Sequence, residues 1–404
     1  MSRENQHNIT NVVFLGENGF PKGLAAIQRM TLMAKALLVE GCKTTVICRK
    51  GVGEQDHVVS LCTKGKYEGI DYLYTSKNVF KPKGFLDRNI QKLKGLFDEY
   101  GYLKYLKKQG EIDVAIVSNM SAIHMLRYCF YARWLNFPVV LNFVEMASSM
   151  QHRSSFSKRI NDSLFDRWII KFFDAALPIS NQLLDHYNRV VPTKPSLKLP
   201  ILCDFEKFNI QSNRQESYFL YCGSIAYKDV IDFVLQAYNS INQKEKTKLY
   251  MIISGGSKDE SQFLQKQMNE GFENQSVRLF SNIPYEELVE LYINAIALLI
   301  PLRPTLQDAS RFPHKIGEYL ASGNPMITTN VGEIKNYFED GETALIANTY
   351  KTDAFAEKMQ YILQHPEEAK VIGSNGKKLG LNEFDYRTQG GRLKTFLEEV
   401  LMIS

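Results

Sequence analysis

In each half of this chain, short apolar runs that end at or near glycine alternate with helical stretches. The first half opens with Asn11-Val12-Val13-Phe14-Leu15-Gly16, then a glycine-rich loop from Glu17 to Gly23 and a helical pattern from Leu24 to Glu40. Gly41 closes that helix, and Thr44-Thr45-Val46-Ile47-Cys48 is a second strand. A helix between two strands of one sheet imposes a parallel pair through a right-handed crossover. Such a sheet is covered on both faces, which is why its strands read as continuous apolar runs. The pattern returns at Asp113–Ser118, a helix around His124 to Leu135, the run Pro138–Phe143 and a short run Asp174–Ile179.

From Pro192 to Ser217 prolines, lysines and polar residues interrupt the periodicity, the composition of a linker. The alternation restarts at Tyr218–Gly223 and continues with a helix over Asp229–Ile241, the strands Leu249–Ser254 and Val277–Phe280, and a helix over Tyr285–Ala295. The strand Ala297–Ile300, a helix near Lys315–Ala321 and the strand Pro325–Thr329 follow. A chain of 404 residues exceeds one compact core, and two domains of roughly 150–200 residues accommodate it. The expected division is 1–205, 206–385 and a last helix over 386–404. The expected class is α/β: two Rossmann-like doubly wound parallel-sheet domains facing a central cleft, where the loops at the strand carboxyl ends bind ligands.

Charge and cysteine usage narrow the function. A net charge of +5 against 49 basic and 44 acidic side chains gives no concentrated basic face, so no nucleic-acid partner is expected. The six cysteines are scattered and form no Cys-x-x-Cys pair, which argues against a zinc site or a disulfide framework. No stretch resembles a signal peptide or an apolar span, and the expected location is the cytoplasm.

Two helical stretches stand apart. Lys81 to Lys108 holds eight basic and three acidic residues, with Leu86, Ile90, Leu93, Phe97 and Tyr100 at helical spacing. Phe156 to Phe173 repeats Phe156, Ile160, Leu164, Trp168 and Phe172 every four residues. Such helices either pack on a sheet as ordinary surface elements or dock on an anionic membrane or a lipid-linked acceptor. The second alternative is a peripheral contact at the inner face of the plasma membrane.

The densest chemical signal runs from Arg311 to Ala347, RFPHKIGEYLASGNPMITTNVGEIKNYFEDGETALIA. Pro313 suits the first turn of a helix that Ser322-Gly323 stop. The helix N-terminus then follows the Ala297–Ile300 strand and offers unpaired N–H groups to an anion such as a diphosphate. Lys315 adds a full charge, and Glu318, three residues on, shares its face and suits sugar hydroxyls. Taken alone, the two are an ordinary surface Lys–Glu pair.

This stretch resembles the nucleotide-binding core of retaining glycosyltransferases of family four, which have the GT-B fold. Pro301, Phe312-Pro313, Glu318, Gly323, Pro325, Gly332 and Asp340-Gly341 fall in register with the family pattern. Ser310 stands where the family has its first glutamate, and Pro313, Lys315, Glu318 and Tyr319 match a branch reading Pro-x-Lys-x-x-Glu-Tyr. The resemblance gives Glu318 the donor ribose, and places Ile316 beside it in the donor site. Cys222-Gly223-Ser224 with Lys228 resembles the basic pair on the donor diphosphate, with Ser224 in place of arginine. Lys315 or Arg303 is then expected to supply the missing charge. Asn282-Ile283-Pro284 resembles the loop framing the nucleobase, and Gly19 to Gly23 the glycine loop near donor phosphate and acceptor. Val144 occupies the place of the family's histidine and Glu145 that of the following acidic residue. His124 and His152 are off-register. Glu145 is therefore the first-domain candidate for contacting sugar or acceptor, or else a capping carboxylate of the loop.

The implied reaction is retaining transfer from a nucleotide sugar to a glycan or lipid-linked saccharide in surface-polysaccharide assembly. Lys228, Lys315 and the helix N-terminus stabilise the leaving diphosphate, which accepts the acceptor's proton, so the protein positions and neutralises charge. The nucleotide sugar is a substrate and no cofactor is expected. No Asp-x-Asp set suggests a divalent metal. The rival readings are a catalytically silent nucleotide-sugar-binding or assembly protein, a GT-B epimerase and a phosphorylase. The acid/base carboxylates of the epimerase and the cofactor lysine of the phosphorylase are not evident.

Overall fold

The computed structural model describes residues 9–23, 25–52, 62–150, 155–242, 247–256, 259, 260, 262, 264, 266 and 276–403. Two compact units emerge, Met1–Leu202 with Tyr386–Ser404, and Cys203–Asp385. Each is organised around one sheet.

In the first unit seven strands lie in the order β3-β4-β2-β1-β5-β6-β7. They are β1 (Asn11–Leu15), β2 (Lys43–Cys48), β3 (Lys64–Tyr67), β4 (Ile70–Tyr74), β5 (Val114–Val117), β6 (Val139–Phe143) and β7 (Ala175–Pro178). Every pairing is parallel except β3 with β4. The parallel strands β5, β6 and β7 are buried at each position, as two covered faces require. The β3–β4 hairpin escapes a search for apolar runs, because β3 alternates exposed with partly buried residues and β4 buried with partly buried ones. It turns through Glu68 and Gly69, both at positive φ (46° and 85°). Lys64 and Lys66 on β3 put charge on the sheet edge, which blunts further pairing.

The helices of this unit are α1 (Ala25–Val39), α2 (Phe85–Gln109), α3 (Ala122–Leu135), α4 (Phe156–Arg167) and α5 (Asn181–Val190). The long amphipathic stretch beginning at Phe156 is not one helix: α4 stops at Arg167, and a short 3-10 turn covers Ile169–Phe172. Its buried positions include Asp162, Phe165 and Asp166, while the apolar residues of the four-residue repeat stay exposed.

The interval expected to be a linker is largely packed. The N–H of Leu197 donates to the Ala176 carbonyl and that of Leu199 to Pro178, each at 3.0 Å, so the chain runs along the outer edge of β7. Leu199, Ile201 and Leu202 are buried. Pro192, Pro195 and Pro200, which suggested a linker, are compatible with an edge because a missing N–H there costs nothing. Arg29 of α1 pins this segment. Its guanidinium is 1% exposed and donates to Asn142 Oδ1 at 2.9 Å, the Pro200 carbonyl at 2.7 Å and the Leu199 carbonyl at 2.9 Å. Burial draws its pKa down to about 9.

Six strands form the second sheet, in the order β10-β9-β8-β11-β12-β13 and parallel throughout. They are β8 (Tyr218–Ser224), β9 (Lys248–Ser254), β10 (Val277–Phe280), β11 (Ala297–Ile300), β12 (Met326–Thr329) and β13 (Leu345–Ala347). Helices α6 (Lys228–Ser240), α7 (Tyr285–Asn294), α8 (Leu306–Ser310), α9 (Lys315–Ser322), α10 (Ile334–Tyr337), α11 (Thr352–Gln364) and α12 (Pro366–Phe384) accompany them. Helix α13 (Tyr386–Ile403) returns to the first unit, burying Leu393, Phe396, Leu397 and Val400 in its core.

Arg29→Met keeps the bulk but leaves two buried carbonyls and the Asn142 amide oxygen without their donor. We expect a loss of about 2–4 kcal/mol in urea unfolding with an unchanged m-value, and a loss under 0.5 kcal/mol would remove the pinning role.

Candidate functional site

Each sheet reverses its winding once. In the second unit the chain lays β9 and β10 on one side of β8, then returns with β11 on the other. The carboxyl ends of β8 and β11 therefore flank a switch point, the crevice where open α/β sheets bind ligands. Cys222, Gly223 and Ser224 end one strand, and Pro301 to Arg303 follow the other. A side chain at Gly223 would place its Cβ 2.3 Å from Tyr221 Oη, so the Tyr221 ring packs over this position and would have to move for any larger residue.

Lys315, the first residue of α9, sits at this point. Its Nζ donates to the Cys222 carbonyl at 2.8 Å, a neutral acceptor that orients the ammonium without cancelling its charge. Glu318, one turn on, is partly buried and accepts from Tyr285 Oη at 3.2 Å. Burial raises the Glu318 carboxyl to about 7, against the opposing pull of Lys315 and of the hydrogen bond from Tyr285. Tyr285 opens α7 two residues after Ile283, so the loop with half-buried Ile283 and left-handed Asn282 (φ 54°) is tied to Glu318. Ile316 is fully buried, leaving only its backbone for any ligand.

Two expectations change. The start of α9 is not an open set of N–H donors: Ile316 N–H bonds to the Pro313 carbonyl and Gly317 N–H to His314, each at 3.0 Å. His314 is already helical (φ −56°, ψ −30°), so a tight turn pairs these groups before the helix begins. Nor does Arg303 offer a free charge. It is 6% exposed and donates Nε and Nη2 to Asp308 Oδ2 and Oδ1, both at 2.9 Å, and Nη1 to Asp229 Oδ2 at 3.0 Å. This fork, chiefly the bond to Asp308, raises its pKa further. Burial alone would raise Asp308, but the bonds from Arg303 and the charge of Arg311 hold it below the usual carboxylate value.

Sequence reasoning passed over Arg311, Asp308 and Tyr227. Arg311 donates to Asp308 Oδ1 at 2.7 Å and to Tyr227 Oη at 2.9 Å, and the guanidinium carbons of Arg303 and Arg311 each lie 5.1 Å from the centre of the Tyr227 ring. The one available signal was the Thr305-x-x-Asp308 spacing of a helix cap, where Thr305 Oγ1 accepts from Asp308 N–H at 3.2 Å. Lys228, next to Tyr227, is the first residue of α6; its side chain is 64% exposed and meets Glu260 only at 3.9 Å. Ser224 Oγ accepts from Ala226 N–H at 3.3 Å and shapes the turn between them. The structure therefore gathers Ser224, Lys228, Arg303, Lys315 and Glu318 around one end of the sheet. Arg303 supports the wall; the two lysines carry the charge that faces outward.

The first sheet reverses between β1 and β5. Gly16 (φ 101°) would bring a Cβ within 2.2 Å of the Ser118 carbonyl, so the loop after β1 passes tightly over β5. Fully buried Phe20 and the bond from Tyr74 Oη to the Phe20 carbonyl (2.7 Å) fix the loop that ends at exposed Gly23. Glu145 lies two residues past β6, half-buried, one strand beyond β5. His124 sits in the first turn of α3, where burial and the charges of Arg49, Arg127 and Lys50 lower it to about 4. His152 is outside the described residues. Among the described residues no group of three or more His, Cys, Asp or Glu is placed to hold a metal ion.

Asp308→Asn removes the carboxylate charge shared by Arg303 and Arg311 and leaves Asp229 as the remaining partner of Arg303; we expect a fall of about 1–3 kcal/mol in stability, read by thermal unfolding, and an unchanged midpoint would refute the clamp. Glu318 gives a pH signature. A carboxyl raised from 4.5 to about 7 costs the folded state nothing below pH 4.5, and its penalty grows until pH 7 is passed. Relative to Glu318→Gln, the wild-type melting temperature should fall between pH 5 and pH 8, and parallel curves would discount the shift.

Residues 204–379 match the family model described as "Glycosyl transferases group 1". An alpha-1,3/1,6-mannosyltransferase of Dictyostelium discoideum is 25% identical over 221 residues, covering 52% of this chain and 50% of that one. O-antigen chain mannosyltransferase B of Escherichia coli is 24% identical over 186 residues, 46% of this chain and 45% of that one. The chain spans about half the length of the curated relatives it matches. Among solved structures, sucrose-phosphate synthase from Thermosynechococcus elongatus superposes with a TM-score of 0.75 at 15% identity, covering 98% of this chain and 100% of that one. HepE of Anabaena in complex with UDP-glucose gives 0.69 at 12% identity, covering 96% and 99%. Residues 204–379 thus match the glycosyl transferases group 1 model, and the two parallel-sheet α/β units are those of the GT-B glycosyltransferase fold.

Proposed function

We propose that this protein transfers a sugar, with retention of configuration, from a nucleotide diphosphate sugar to a glycan or lipid-linked saccharide during polysaccharide assembly in the cytoplasm. The observation that carries the reading is the placement of Lys315 and Glu318, inside the matched family segment, at the switch point of the second sheet. Support for the donor class comes from the relatives, two named as mannosyltransferases, and from a neighbouring fold solved with UDP-glucose.

In this reading Lys228 and Lys315 neutralise the diphosphate as it leaves, as two point charges rather than a bidentate fork. The bond to the Cys222 carbonyl sets the direction of Lys315 in advance, so little reorganisation accompanies charge development. Glu318 accepts the ribose hydroxyls, Ile316 contributes backbone beside it, and Ile283 borders the base. Gly23 and Glu145 orient the transferred sugar or the acceptor. No cofactor or metal takes part in the proposed reaction.

Release of nucleoside diphosphate from a panel of UDP-, GDP- and dTDP-sugars, GDP-mannose included, is the direct test. One donor should turn over with an added saccharide acceptor, undiminished by EDTA, and proton NMR should show the donor's anomeric configuration in the product. Binding without turnover on every acceptor, or an inverted anomer, would overturn the corresponding part of the proposal. Lys228→Ala should lower kcat by on the order of a hundredfold with an unchanged melting temperature; unaltered turnover would exclude its phosphate role.

A further inference from the structure

Among its described residues the first unit exposes an apolar surface. Helices α2, α3 and α4 hold most of the large apolar side chains that are exposed among the described residues. Phe97 is 77% exposed, Ile123 77%, Trp134 70%, Phe156 79% and Trp168 60%. On α2 the residues Leu86, Ile90, Leu93 and Phe97 follow helical spacing, and on α4 Phe156, Ile160 and Leu164 form a stripe, with Trp168 and Phe172 exposed just beyond the helix. Ring contacts link the helices: Tyr100 of α2 lies 6.4 Å from Trp134 of α3, and Arg133 of α3 lies 5.6 Å over Phe172 beyond α4. The stripes are thus parts of one face. Single exposed apolar residues are ordinary, but a contiguous face of this kind marks an interaction site.

Charge identifies what covers it. Lys81, Lys83, Lys92 and Lys94 are exposed on or before α2, and Lys158, Arg159, Arg167 and Lys171 are exposed on or just after α4. The acids that would offset the second group, Asp162 and Asp166, are each 2% exposed and turned inward. Both tryptophans of the chain lie on this face. Indole rings favour the boundary between hydrocarbon and headgroups, and exposed lysines favour anionic headgroups. No helix among the described residues is long and apolar enough to cross a membrane, whereas an amphipathic helix lies in the interface plane.

We propose that the α2–α3–α4 face docks the protein on the surface of an anionic lipid bilayer. The docking is independent of the transfer reaction proposed above and stands or falls without it. It would bring the first unit beside saccharides carried on lipid anchors.

Because Trp134 and Trp168 both sit on the face, the intact protein carries its own reporter. Vesicles of phosphatidylcholine containing phosphatidylglycerol as the anionic lipid should shift tryptophan emission to the blue and float the protein with the lipid. Pure phosphatidylcholine should bind at least tenfold less, and 0.5 M salt should weaken the anionic binding. The variant Phe97→Ser/Ile123→Ser/Phe156→Ser should lose flotation by at least tenfold with an unchanged circular-dichroism spectrum. Emission and flotation unaltered by anionic vesicles would overturn the proposal. So would a lipid-free dimer in light scattering that the same variant disperses, because a second copy would then cover the face.

Discussion

Everything that positions chemistry here descends from the handedness of the parallel crossover. A helix leaving the carboxyl end of one strand returns to a parallel neighbour in one hand only, so a sheet grows outward until the chain comes back to its first strand. Growth then resumes on the opposite side, at β11 beside β8 and at β5 beside β1. At each reversal two strand ends diverge with no crossover between them. The candidate donor residues collect at the reversal of the second sheet, and the glycine loop at that of the first.

The wall of that second-sheet crevice is built from paired charges, and the two candidate lysines stand apart from that network. Arg303, Asp308, Arg311 and Asp229 neutralise one another across α8, β11 and α6, with Tyr227 beside both guanidinium groups. A buried arginine forked onto a carboxylate adds geometry more than net stability, since its desolvation offsets most of the attraction. It holds the loop after β11 in place. Lys315 bonds instead to a neutral carbonyl, and Lys228 is mostly exposed, with Glu260 at 3.9 Å. A basic residue near a proposed phosphate seat is thus not by itself a phosphate ligand; its partners decide.

The same distinction applies to apolar residues. Most helices here bury their apolar stripe: α6 buries Val230, Ile231, Phe233 and Val234 in the second core, and α13 buries Leu393 and Phe396 in the first. On α4 the order is partly reversed, with Asp162 and Asp166 buried beside Phe165 and with Phe156, Ile160 and Leu164 exposed. Hydrophobic periodicity reports that a helix has two faces. Which of them meets the protein depends on what the inner residues find: Asp166 accepts the N–H groups of Ala147 and Ser148, at 3.2 and 2.7 Å.

By itself the sequence determined the elements whose physics is local. Continuous apolar runs bounded by glycine mark strands buried on both faces, and the helices between them fix parallel topology, so both sheets were legible apart from β3 and β4 at one edge of the first and the three-residue β13 at one edge of the second. The Lys315–Glu318 spacing was legible too, because three residues make nearly one helical turn. Tertiary structure alone decided the partners. Lys315 meets a carbonyl 93 residues away and Arg303 a carboxylate 74 residues away. The prolines after Val191 suggested a linker until β7 offered an edge, and the N–H groups of α9 looked open until His314 proved helical. Such contacts join segments remote in the chain, and whether a polar or apolar group is satisfied depends on the neighbour that folding delivers to it.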